Sequence, residues 1–195
     1  MREKWYGDAR DLVKWGVLLT LAEYYGVKQI LQVAYLRSTT WENVEIDGEF
    51  KPIPHCVIKH FRDIQNVEKL VGEPRIQVLD LRFEDRALYE ETIIKSVGES
   101  QHPCILFLDP DTGLEPQGQP SYEHVLEKEL SNVWGNLYKG DVLVLYQHQT
   151  NRNGQPWIEQ KHAQFAKALS VAFDQVKIGR SLKIARDVVL LYCSK

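Results

Sequence analysis

Two short apolar runs, Cys104-Ile-Leu-Phe-Leu108 and Val142-Leu-Val-Leu-Tyr146, constrain this chain more than any other feature. Neither alternates polar with apolar residues, so neither suits a sheet with one wet face. Strands of this kind are covered on both sides, as in a parallel sheet held between helices. Residues 29–36 and 75–81 read as further strands. Helical stretches fall at 57–71, 84–97, 121–138 and 156–173, and the first helix covers 8–25. There Leu12, Trp15, Gly16, Leu19 and Ala22 recur at helical spacing, with Asp8 as a start and Gly26 as a stop. Strands alternating with helices predict βαβ units. The connection after 175–178 is too short for a helical crossover, so that strand and 188–193 are expected to pair antiparallel. The expected fold is α/β: three layers, α/β/α, with a mostly parallel doubly wound sheet ending in a C-terminal antiparallel β-hairpin. The polar stretch 37–54 reads as a loop with a small hairpin at Asp47-Gly48.

The 195 residues suit one domain, 1–195, with residues 1–27 as an N-terminal helix packed on it. At 44% hydrophobic the chain can bury a core. A net charge of −3 argues against a broadly basic nucleic-acid coat protein but leaves room for a local basic groove. No apolar run approaches the roughly 18 residues of a membrane span, and no signal peptide is visible, so a cytoplasmic protein is expected. Cys56, Cys104 and Cys193 give neither a disulfide framework nor a metal-binding pair at close spacing.

The sharpest candidate site is Asp109, Asp111 and Glu115. They follow a buried strand, and in open α/β sheets the ligand crevice lies at that end. Their spacing is also one of oxygen ligands that could hold Mg²⁺ or Ca²⁺, although the full calcium-loop pattern is missing. Tyr146-Gln147-His148 ends the next strand and should open on the same edge, where His148 could act as a general base or a metal ligand. Asn151 and Arg152 could meet a phosphate or carboxylate. In the first helix Asp8 could cap and Asp11 could pair with Lys14, or the helix could fold over the sheet edge as a lid. Asp80 stands where an acid can bind a ribose hydroxyl, and Arg37 could bind an anion. Trp5, Trp41, Trp134 and Trp157 could stack on bases or belong to the core and its rim.

The ending of the chain resembles class I S-adenosylmethionine-dependent methyltransferases, which have a Rossmann-like seven-stranded sheet closed by such a hairpin. Leu108-Asp109-Pro110-Asp111 is similar to the Asp-Pro-Pro-Tyr type motif of amino-methyltransferases. Tyr138-Lys139-Gly140-Asp141 is similar to the Pro-Gly-Gly turn before their fifth strand. The likeness covers about residues 28–195 in order of elements. It implies S-adenosylmethionine as cofactor, with Asp80 on the ribose and Asp109 on the amine or nucleic-acid base being methylated. Asp8, Asp11 and Arg37 are further cofactor candidates; Asp111, Tyr146 and His148 are further catalytic ones. The family's Gly-rich loop has no counterpart, because the first strand ends Ala34-Tyr35-Leu36-Arg37-Ser38-Thr39.

The chain also resembles an uncharacterised prokaryotic family that shares Gly-Asp-x-x-Asp-x-x-Lys-aromatic, Asp-Pro-Asp-x-Gly-Leu-Glu and Tyr-Gln-His segments. Here they are Gly7–Trp15, Asp109–Glu115 and Tyr146–His148. This second likeness implies no activity. Three functions follow as expectations. One is methyl transfer to an amine or a nucleic-acid base. Another is an Mg²⁺-dependent hydrolase or nuclease, with Asp109, Asp111 and Glu115 holding the metal and His148 activating water. The third is a non-catalytic binding domain on the same fold. The expected partner is a small molecule or a nucleic acid, with no membrane, and the oligomeric state is left open.

Overall fold

The computed structural model describes residues 7–37, 43–151 and 156–195. Trp5, Trp41 and Arg152 lie outside the described residues. Helix α1 (Ala9–Tyr25) leads into β1 (Gln29–Val33). The hairpin β2 (Asn43–Ile46) and β3 (Glu49–Pro52) follows, then α2 (His55–Arg62), a 3-10 turn (Ile64–Lys69) and β4 (Arg75–Leu79). Next come α3 (Arg86–Gly98), β5 (Cys104–Leu108), the short strands β6 (Gly113–Leu114) and β7 (His124–Val125), α4 (Glu127–Gly135), β8 (Val142–His148) and α5 (Ile158–Leu169). A 3-10 turn (Phe173–Gln175), β9 (Lys177–Ser181) and β10 (Ala185–Ser194) complete the order.

The main sheet has six strands in the order β4-β1-β5-β8-β10-β9. The first four are parallel, and β10 runs antiparallel to both β8 and β9. The mostly parallel sheet with an antiparallel C-terminal pair is therefore the expected one. Among the described residues it has one strand fewer than the methyltransferase resemblance implies.

Alternation along the strands sorts the core into two layers. Ile30, Ala34, Ile105, Phe107, Val144 and Leu190 face α1 and the 3-10 turn after α2. Leu31, Val33, Leu106, Leu108, Leu145 and Leu191 face α3, α4 and α5. All five residues of β1 and of β5 are buried, as a sheet covered on both faces requires. Helix α1 belongs to this packing. Val13, Leu18, Leu21 and Ala22 are buried on the sheet, and Gly179 of β9 faces Val17 so closely that a Cβ there would lie 2.5 Å from Val17 Cγ1.

Local differences from the sequence reading have physical causes. Asp47 and Gly48 both adopt positive φ, as a tight two-residue hairpin turn needs. The expected helix 57–71 divides into α2 and the 3-10 turn at Asp63. The expected helix 121–138 begins only at Glu127. Residues 123–125 instead pair with the loop after β5: Thr112 N–H donates to Glu123 O, and Glu115 N–H to Val125 O. Glu129 then reaches back to accept from Leu126 N–H at 2.9 Å and starts the helix. Among the described residues no helix is long and apolar enough to cross a membrane.

Candidate functional site

The C-terminal ends of β4, β1, β5 and β8 share one edge of the sheet, and Asp80, Arg37, Asp109 and Tyr146-Gln147-His148 stand there. Alternation puts Asp109 on the α1 face with Ile105 and Phe107. The β5–β8 register sets Leu108 opposite Leu145, so Tyr146 comes beside Asp109.

Helix α1 lowers Lys14 onto this pair. Its ammonium lies 2.8 Å from Asp109 Oδ1 and 3.1 Å from Asp11 Oδ1, and 4.4 Å from the centre of the Tyr146 ring. Gln32 Nε2 donates to Asp109 Oδ2 at 3.0 Å, while Gln32 Oε1, also buried, has no hydrogen-bond partner among the described residues. Gly7 N–H donates to Asp11 Oδ2 at 2.5 Å. Asp109 is 0% exposed and Lys14 4%. Burial works against the Lys14 charge, but Asp109, Asp11 and Tyr146 outweigh it and hold the ammonium above its ordinary pKa. Burial pushes the Asp11 carboxyl up, against the pull of Lys14, and pushes the Tyr146 phenol up.

At the rim of this cluster Arg10 Nη2 lies 2.6 Å from Asp187 Oδ2. His148 Nε2 is 3.2 Å from the same carboxylate oxygen, and its Nδ1 is 3.1 Å from Gln149 O. Burial raises the Asp187 carboxyl, yet Arg10 outweighs it and carries the group below its ordinary pKa. Both ring nitrogens of His148 face acceptors, the Asp187 carboxylate and the Gln149 carbonyl. Asp8 caps α1, accepting from Arg10 N–H at 2.7 Å and Asp11 N–H at 3.1 Å. The Gly7–Trp15, Asp109–Glu115 and Tyr146–His148 segments thus meet in one place.

The three acids considered for a metal do not converge. Asp109 pairs with Lys14, and Asp111 pairs with Arg37, which also reaches Glu123 at 3.1 Å. Glu115 turns away and accepts from Glu127 N–H at 2.7 Å, at the start of α4. Each of these carboxylates already serves a cation or a helix end. Among the described residues only His102, Cys104 and Asp141 gather closely enough for a metal. They lie at the opposite end of the strands, and Asp141 is spent on the backbone N–H groups of Cys104 and Tyr138 and on His102.

The end of β1, where a Gly-rich loop would admit a cofactor, is filled. Tyr35 takes φ +48 and is 2% exposed. Its ring packs against Phe83 and Tyr89, with centroids 4.9 and 5.1 Å away, and its N–H donates to Tyr89 Oη at 2.9 Å. Leu36 then bridges to Arg82, extending the β1–β4 pairing past the strand ends. Asp80 remains exposed at that edge and accepts from Gln65 Nε2 at 2.8 Å. Arg37, expected as an anion binder, is an ion-pair partner of Asp111 and Glu123. Trp134 and Trp157 are buried.

The loop after β5 is fixed from below. Gln147 Oε1 accepts from Leu114 N–H, and its Nε2 donates to Thr112 O and to His148 O. Lys161 donates to Leu114 O and Glu115 O, and burial lowers its pKa. Gln32, Gln147, Arg10, Asp187 and Lys161 were not singled out as chemical candidates from the sequence. Gln32 carries a signal as a polar residue at an inward position of an apolar strand, and Gln147 as part of the Tyr146-Gln147-His148 segment.

No protein-family model matches the chain, and no curated protein sequence matches it. Among solved structures, a DUF574 family protein from Streptomyces avermitilis MA-4680 matches with 10% identity and a TM-score of 0.45, covering 96% of this chain and 82% of that one. A "putative methyltransferase" from Thermobifida fusca YX matches with 13% identity and a TM-score of 0.41, covering 96% and 80%. Similarity at this level maps no residue role onto this chain.

Proposed function

We propose that this chain is a binding domain on a methyltransferase-like α/β sheet, without methyl transfer at Asp109. The observation that carries the reading is the Lys14–Asp109 ion pair, with Asp109 fully buried under α1. An acid that holds an acceptor amine must offer that amine a free oxygen at an open edge. Here the carboxylate is taken by Lys14 and Gln32. Tyr35 also weighs against S-adenosylmethionine at the end of β1, because its side chain is buried there and its N–H is already used by Tyr89. The separated carboxylates weigh against Mg²⁺-dependent hydrolysis in the same way.

Buried ion pairs recover little net stability after desolvation. A cluster of three charged residues at the edge of a parallel sheet is therefore poorly explained by stability alone. Its effect is to hold α1 in one position over the strand ends. Thermal melting with S-adenosylmethionine, S-adenosylhomocysteine and Mg²⁺ tests the reading, since a ligand that binds the native state raises the melting point by mass action. No shift is expected with any of the three. A saturable shift with S-adenosylmethionine that Asp80→Ala removes would restore the methyltransferase reading.

A further inference from the structure

On the α5 side of the sheet, a groove of about 590 Å³ opens between the start of α5, the 3-10 turn 173–175 and the edge strand β9. Pro156, Trp157, Ile158, Phe173 and Ile178 form its apolar wall. Volume and lining both suit a small molecule, for which a mainly apolar and aromatic pocket carries a few polar groups that set orientation. The wall is preformed. The His162 ring meets Phe173 edge-on at 4.0 Å, and His162 Nε2 is anchored 2.8 Å from Val176 O. Phe173 is nonetheless 49% exposed, so a flat apolar ligand would remove a large aromatic face from water.

The charge of the lining selects further. Among the described residues at this groove Glu159 carries the one formal charge, and no lysine or arginine joins it. A carboxylate beside an aromatic wall accepts hydrogen bonds from N–H donors on the edge of a ring and repels an anion. Gln149 lines the same groove, and its backbone connects to the rim of the buried cluster. Its N–H donates to Asp187 O at 2.8 Å, and its carbonyl lies 3.1 Å from His148 Nδ1.

We propose that this groove binds a planar aromatic ring that presents N–H donors along one edge, as an amidinium or a guanine-type base does, with Glu159 accepting those donors. The proposal rests on reading the chain as a binding domain, and it names the ligand class that such a domain would take. The two sources of this chemistry, a small aromatic cation and a purine nucleoside, are separated by the probes. Benzamidine, guanosine and benzoate are each titrated into the intact protein, with the melting point as readout and S-adenosylmethionine as a parallel arm.

Benzamidine or guanosine should raise the melting point saturably, and benzoate should not. Glu159→Gln should weaken that binding about tenfold, the loss of one charge-assisted pair, and Phe173→Ala should weaken it as well. Both side chains are exposed, so neither change threatens the fold. Equal binding of benzoate, indifference to Glu159→Gln, or no shift with either donor probe would overturn the groove proposal. A saturable shift with S-adenosylmethionine that Asp80→Ala removes would contradict the proposed function, whatever these probes do.

Discussion

Gly113 stands against the side chain of Gln147: a Cβ built on Gly113 would lie 2.3 Å from Gln147 Oε1. Gly113 also takes φ +121, a conformation that side chains rarely adopt. The two residues therefore depend on each other. Gln147 reaches over the bare backbone to hold Leu114 N–H and Thr112 O. Gly113→Ala should cost about 1–3 kcal/mol from backbone strain alone, with a further loss as Gln147 is pushed from its partners. Urea unfolding of Gly113→Ala, Gln147→Ala and the double variant checks this. The double variant should be much less destabilised than the sum of the two singles.

Lys14 and Asp109 form the second coupled pair. Removing one partner of a buried ion pair costs about 3–5 kcal/mol, while replacing both with apolar residues is often nearly neutral. Lys14→Met should therefore be strongly destabilising, because it leaves Asp11 and Asp109 buried together. Lys14→Met combined with Asp109→Leu should recover much of that loss. A double-mutant cycle by chemical denaturation supplies the coupling energy, and strict additivity would count against the pairing.

Tyr89 carries a smaller, more local cost. Its hydroxyl is the acceptor for the buried N–H of Tyr35, in a cluster where burial raises both phenols above the ordinary tyrosine pKa. Tyr89→Phe keeps the ring and orphans that N–H, so a loss of about 1–3 kcal/mol is expected. A loss near zero in urea unfolding would mean that the N–H finds another partner.

His124 should give the stability a pH dependence near neutrality. Burial lowers its pKa below 6.5, and its Nδ1 accepts from Ser121 N–H at 3.1 Å, which only the unprotonated nitrogen can do. The unfolded chain therefore takes up this proton first as the pH falls. Stability due to His124 is present above pH 6.5 and is lost as the pH drops toward the lower folded value. In denaturation curves on both sides of that window, His124→Gln should reduce the slope of stability against pH.

The sheet was legible because β5 and β8 are continuous apolar runs, and no helix or wet-faced strand fits them. The edge that gathers Asp109, Asp111 and His148 followed from strand ends in the same way. Partnership was less legible. Lys14 and Asp109 are 95 positions apart, and Asp187 meets Arg10 across 177; spacing along a chain says nothing of such contacts. The helix expected from residue 121 failed for a related reason. Ser121 and Glu123 look like a helix start, but their segment is held by the loop after β5, with Thr112 bonded to Glu123 across 11 positions. Asp11 with Lys14 was readable because it is local, a three-residue spacing on one helix.

Hydrogen exchange of α1 tests most directly whether this helix is a fixed layer that seals Asp109. Backbone amides open either locally, at low free energy, or only with global unfolding. The amides of Leu18, Leu21 and Ala22, whose side chains are buried on the sheet, should exchange only with global unfolding, at the same free energy as the central strands. Exchange of α1 well below that limit, or made faster by S-adenosylmethionine, would show a helix that lifts from the strand ends and uncovers Asp109, and would contradict a sealed binding domain.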